Sequence, residues 1–157
     1  MGEVDTAKPW RVGASSLQDF VTIRGSTTTQ TITQSESEWV DLGPYQDLVT
    51  WIDVREVTLG GATNVQFNIQ TAPIKDEFLF VTMESSPLTV TAGLTAPSVR
   101  KMLLSYGTDT AGAPIPLGRF LRWQLLASGA TGSWDVVFRI VCCANAVGSG
   151  GGGMGRR

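Results

Sequence analysis

The period of the apolar residues decides most of what this chain can become. In Asn64-Val65-Gln66-Phe67-Asn68-Ile69-Gln70 apolar and amide side chains alternate one by one. Successive side chains of an extended backbone point to opposite faces, so Val65, Phe67 and Ile69 share one face and Gln66, Asn68 and Gln70 the other. That is the pattern of a half-buried strand. Similar runs occur at 20–23, 27–33, 38–42, 48–59, 77–83, 88–92, 99–106, 120–127 and 134–143. Turn chemistry separates them, as in Gly43-Pro44, Gly60-Gly61, Ser85-Ser86-Pro87 and Gly112-Ala113-Pro114. A helix competes only at 96–104, where Thr95 can cap and Pro97 suits a first turn, and that stretch still reads mainly as strand. About ten strands without a long helix predict an all-β fold, an antiparallel β-sandwich with a jelly roll as first choice.

Both ends break the pattern. Residues 1–17 have no periodicity, and Pro9 and Gly13 interrupt a polar run around Trp10. The other end reads Gly148-Ser149-Gly150-Gly151-Gly152-Gly153-Met154-Gly155-Arg156-Arg157. Such a tail has almost nothing to bury, and ordering it costs roughly 1–2 kcal/mol of backbone entropy per residue. The expected organisation is therefore an extended N-terminal arm over 1–17, one sandwich domain over 18–145, and a glycine-rich C-terminal arm over 146–157. A neighbouring subunit is the simplest holder for such arms.

With 42% hydrophobic and 17% charged residues, the chain is apolar enough to fold and light on charge for a freely soluble monomer, which suggests covered outer surfaces. Residues 1–99 carry five basic and twelve acidic side chains, and residues 100–157 seven basic and two acidic. Opposite charge could drive head-to-tail contact between copies, or the fold could interleave the halves and cancel the field.

In 134–143 the core face is Trp134, Val136, Phe138, Ile140 and Cys142. The other face, Asp135, Val137, Arg139, Val141 and Cys143, mixes apolar and charged groups and suits a second packed layer or a subunit contact. Arg122 is expected to pair with a carboxylate or lie against an aromatic ring. The threonine-rich 27–33 fits an edge strand, or one lent to a neighbour. The candidate interface residues are thus Trp10 and Arg11, Thr29 and Thr31, Val137, Arg139 and Val141, and Met154, Arg156 and Arg157.

The chain has no histidine, which removes Ser-His-Asp and Cys-His mechanisms and histidine metal sites together. Ser98-Val99-Arg100-Lys101 matches Ser-x-x-Lys, but its companion motifs are missing. Asp53 with Glu56, or Asp76 with Glu77, lacks the setting of an acid/base pair. The glycines of 150–155 follow a strand but precede no helix that could bind phosphate. No basic stripe interleaved with aromatics suggests nucleic-acid binding. Cys142 and Cys143 are neighbours on a strand, point oppositely and read as two free thiols, one in the core and one at the surface or an interface. No enzyme activity, metal or cofactor is expected. Tryptophans at 10, 39, 51, 123 and 134 leave sugar stacking as an alternative that depends on the exposure of Trp39 and Trp51.

Strands without catalytic equipment, arm-like ends, low charge and the glycine tail, together with Arg119-Phe-Leu-Arg-Trp123 and Ser133-Trp-Asp-Val-Val-Phe-Arg-Ile140, resemble a jelly-roll decoration (cement) protein of a tailed-bacteriophage capsid. The resemblance is one of style, covers about a quarter of the chain and rests on no diagnostic motif. It implies a structural virion protein made in the host cytoplasm and placed on the capsid surface. Its partners would be the major capsid protein and copies of itself, for instance as a trimer, with no membrane and no nucleic acid. A tail, baseplate or head-completion component, or a carbohydrate-binding module, remains an alternative.

Overall fold

The computed structural model describes residues 12–26, 29–43, 45–58, 64–89, 98–104, 106–108, 114–129 and 132–146. Eleven strands run through them: β1 (Val12–Gly25), β2 (Gln30–Thr33), β3 (Val40–Asp41), β4 (Tyr45–Thr58), β5 (Asn64–Ala72), β6 (Val81–Thr89), β7 (Ser98–Leu104), β8 (Tyr106–Thr108), β9 (Pro114–Pro116), β10 (Phe120–Ser128) and β11 (Trp134–Ala146). Two single 3-10 turns, Glu36–Glu38 and Glu77–Leu79, precede β3 and β6. No α-helix occurs among the described residues, and 98–104, the described part of the stretch where a helix competed, is the strand β7.

The strands form two antiparallel sheets packed as a sandwich, one in the order β1-β11-β4-β7 and the other in the order β2-β10-β5-β6. β3 pairs with β10 on the edge it shares with β2, and β8 and β9 form a separate ribbon. Chain order crosses repeatedly from sheet to sheet, so β1 and β11, and β2 and β10, pair as the outer layers of a rolled-up hairpin. Two four-strand paths wrapped in this way, with β3 added beside β2, are a jelly roll.

Alternation builds the core. Val65, Phe67 and Ile69 of β5, Leu121, Trp123 and Leu125 of β10, Ile52 and Val54 of β4, and Trp134, Val136, Phe138 and Ile140 of β11 are buried between the sheets. Phe138 reaches across to meet Phe67 edge-on with centroids 4.8 Å apart and Trp123 at 5.2 Å. Each such side chain contributes roughly 1.5–3 kcal/mol by leaving water.

Two glycines serve close contacts. Gly25, opposite Trp134 in the β1/β11 register, leaves room for the indole, which any Cβ there would overlap. Gly129 turns the chain from β10 to β11 with φ of 65°, a conformation costly for other residues.

Several boundaries differ from those expected. β1 begins at Val12, so 12–17 lie in a strand, with 12–16 paired to β11, and β11 runs on to Ala146. The runs at 38–42 and 77–83 each lose their beginnings to a 3-10 turn. Asp76 explains the second, because its side chain accepts the Phe78 amide at 3.0 Å and starts a turn there. The rest of both expected arms lies outside the described residues.

Candidate interface

The outer face of the first sheet brings together three of the expected interface residues. Along β11, Val137, Arg139 and Val141 point away from the core and are half-buried. In register, Val141 faces Trp51, Arg139 faces Asp53, and Val137 faces Glu56 of β4 and Thr22 of β1. The β4/β11 register slips between Val137 and Phe138, placing Arg55 as the extra residue of a bulge. Its guanidinium thereby reaches Asp53, with Nη2 donating to Oδ2 at 2.9 Å and Nε 2.7 Å from Oδ1. Arg139 Nε donates to the same Oδ2 at 2.8 Å.

Asp53 is buried, and burial pushes its carboxyl upward; the hydrogen bonds and charges of Arg55 and Arg139 outweigh that and hold it below the ordinary carboxylate range. Phe20 covers the cluster from β1, its ring centroid 4.7 Å from the Arg139 guanidinium carbon and 6.0 Å from that of Arg55. Half of Phe20 remains in solvent.

The outer face of the second sheet differs. Asn68 and Gln70, expected to face solvent, are buried. They belong to an amide network: Gln66 Nε2 donates to Asn68 Oδ1 at 2.7 Å, Ser85 Oγ donates to that oxygen at 2.8 Å, and Gln70 Nε2 donates to Gln124 Oε1 at 3.3 Å. Gln124 Nε2 continues the network to Thr33 Oγ1 at 3.2 Å. Beside it lies Arg122, buried, donating from Nε to Gln70 Oε1 at 2.8 Å. Its guanidinium carbon is 4.0 Å from the Phe80 ring centroid and 5.1 Å from that of Trp39, and Nη1 is 3.5 Å from Glu77. Arg122 thus meets both expected kinds of partner, a carboxylate and an aromatic ring. Burial lowers its pKa, and the charge of Glu77 opposes that.

Thr29 and Thr31 are exposed, and Thr31 lies on the edge strand β2, which pairs with β10 of its own chain. Trp10, Arg11, Met154, Arg156 and Arg157 lie outside the described residues. Trp39 and Trp51 are half-buried, and the Trp39 indole donates to the Gln34 carbonyl at 3.1 Å. No tryptophan among the described residues is exposed, so a line of open indoles for sugar stacking is not found there. Cys142 is buried and Cys143 half-buried, and both are free.

The two oppositely charged parts of the chain are interleaved. Arg119 pairs with Asp41 at 2.8 Å, Arg139 with Asp53, and Arg122 with Glu77, each bond joining a late base to an early acid. Sequence pattern missed Phe20 and the Asp53–Arg55 pair as surface features. The spacing Asp53-x-Arg55 was the available signal, since residues two apart on a strand share a face.

No family model and no curated protein matches the chain. Among solved structures it is similar to infectious bursal disease virus VP2 in a subviral particle, with a TM-score of 0.52, 11% identity, and coverage of 89% of this chain and 33% of that one. It is similar also to the infectious bursal disease virus Gt strain, with a TM-score of 0.50, 14% identity, and coverage of 89% and 34%. These are viral capsid proteins with a β-sandwich fold. The chain spans about one third of their length. At this identity the likeness establishes the fold alone, a β-sandwich.

Proposed function

We propose that this chain is a structural, non-enzymatic virion protein: a decoration subunit of a bacteriophage capsid that binds the major capsid protein and copies of itself. The observation that carries the proposal is the jelly-roll strand order, which is supported by the likeness to viral capsid proteins. The half-buried valines and Trp51 on the outer face of the first sheet add a surface suited to contact. The sandwich supplies the footprint, and the parts of the expected arms outside it, 1–11 and 147–157, reach onto neighbours, multiplying affinity through several weak contacts. Adding purified protein to undecorated shells tests the proposal. Saturable occupancy and raised shell stability are expected, whereas absence of the chain from shells and purified virions removes it. Deleting residues 147–157 is expected to lower occupancy, and unchanged occupancy would remove the tail from the mechanism.

A further inference from the structure

Among the described residues, the large apolar groups that the sandwich leaves in solvent gather at two places. The first is the connection from β5 to β6 with the start of β6, where Ile74, Phe78, Leu79 and Val81 are all exposed, Phe78 by 95%. The backbone there is fixed: besides the Asp76 cap on Phe78, the Leu79 amide donates to the Asp76 carbonyl and the Phe80 amide to the Glu77 carbonyl. Phe80 holds the turn down against Arg122. Such a preformed apolar knob marks a contact site. Its rim carries the exposed or half-buried acids Asp76, Glu77 and Glu36 against one exposed base, Lys75, 3.8 Å from Glu36, while Arg122, 3.5 Å from Glu77, is buried beneath the turn.

The second place is Phe20, 52% exposed beside Arg55 and Arg139. Both guanidiniums draw on the one carboxylate of Asp53, buried beneath them, so two cations meet solvent over one covered anion. The neighbouring Asp19 accepts from Ser16 at 2.7 Å, and exposed Glu56 borders the patch.

We propose that these patches are the two halves of one contact, in which the Phe78 knob of one copy seats on the Phe20, Arg55 and Arg139 face of a second copy. The proposal rests on the reading of the chain as an assembling subunit. The knob supplies an aromatic ring to lie against Phe20, and Asp76 and Glu77 meet the two guanidiniums. A lipid surface suits the knob less, because both carboxylates would enter the bilayer with it. Knob and socket are different surfaces, so the contact is heterologous and builds rings or open chains of copies.

Sedimentation of the full chain tests this. The wild-type mass is expected to grow with concentration, while Phe78→Ser and Phe20→Thr each raise the dissociation constant at least about tenfold and leave monomers. Mixing the two variants is expected to give dimers and nothing larger, because the first keeps the socket and the second keeps the knob. Thr22→Arg, at an exposed position of the same face, blocks the socket if Phe20→Thr fails to fold. A wild-type chain that stays monomeric to about 0.1 mM, or variants that do not complement, overturns the contact. A monomeric chain that still decorates shells removes this contact and leaves the virion role standing. A self-associating chain that never reaches virions keeps the contact and removes that role.

Discussion

The side-chain amide of Gln34 donates to the Leu17 carbonyl at 2.7 Å, tying the end of β2 in one sheet to β1 in the other. The same side chain accepts the Trp123 amide at 3.1 Å and donates to the Glu38 carbonyl at 3.2 Å, so a buried glutamine completes backbone pairing where β2 has ended and β3 has not begun. Gln34→Ala leaves Leu17 and Trp123 without these partners. At about 1–3 kcal/mol for each orphaned group, a loss on the order of 3 kcal/mol is expected in urea unfolding. A loss below about 0.5 kcal/mol, the scale of an ordinary surface change, would contradict the role assigned to Gln34.

Asp53 sets an acid limit. Its carboxyl is held below the ordinary value in the native state, so it contributes stability above the unfolded pKa and loses that contribution as pH falls through the native one. Wild-type unfolding free energy should therefore fall as pH drops below about 4, and Asp53→Asn should flatten part of that slope while lowering stability at neutral pH. Parallel curves for the two proteins between pH 5 and 2 would count against it.

The two thiols should separate in labelling. Burial, with Cys143 adding a smaller effect, pushes Cys142 up to about 12, and only the thiolate reacts. One label per native chain at pH 8, on Cys143, and two after denaturation are expected by mass spectrometry. Equal native labelling of both would show that Cys142 is open to solvent.

Gly25→Ala places a Cβ inside the Trp134 indole. Trp134 is fully buried, so the ring must shift through the core, and a destabilisation of about 1–3 kcal/mol or more is expected by thermal melting. An unchanged midpoint would mean that β1 can move away from Trp134 freely.

Arg122→Lys keeps the charge but loses the planar group set against Phe80 and Trp39 and the Nε bond to Gln70. Faster amide exchange at Phe78, Leu79 and Phe80 is the expected readout, since Phe80 anchors that turn through Arg122. Exchange rates equal to wild type would separate the turn from the arginine.

The faces of β5 and β11 were legible in the sequence because alternation is a local property: Phe67 and Phe138 fall into the core by parity alone. The burial of Asn68 and Gln70 was not, because polar side chains read as solvent-facing and only the tertiary network that saturates them reveals otherwise. Val12 to Ser16 carry too few large apolar groups to show a period, so β1 appears in the sequence only from Phe20. The 3-10 turns were masked by strand-forming neighbours such as Trp39 and Phe80. The meeting of Phe20, Asp53 and Arg139 depends on register between three strands distant in the chain, which no local pattern encodes.

The last two long strands, β10 and β11, occupy interior positions in their respective sheets. During synthesis β1, β2 and β3 therefore emerge with no partner to hold them, because each pairs only with one of these two late strands. Neither sheet can close until residues 120–146 have left the ribosome. Until those residues emerge the nascent chain keeps its early strand edges open, and folding speed is limited by these long-range closures.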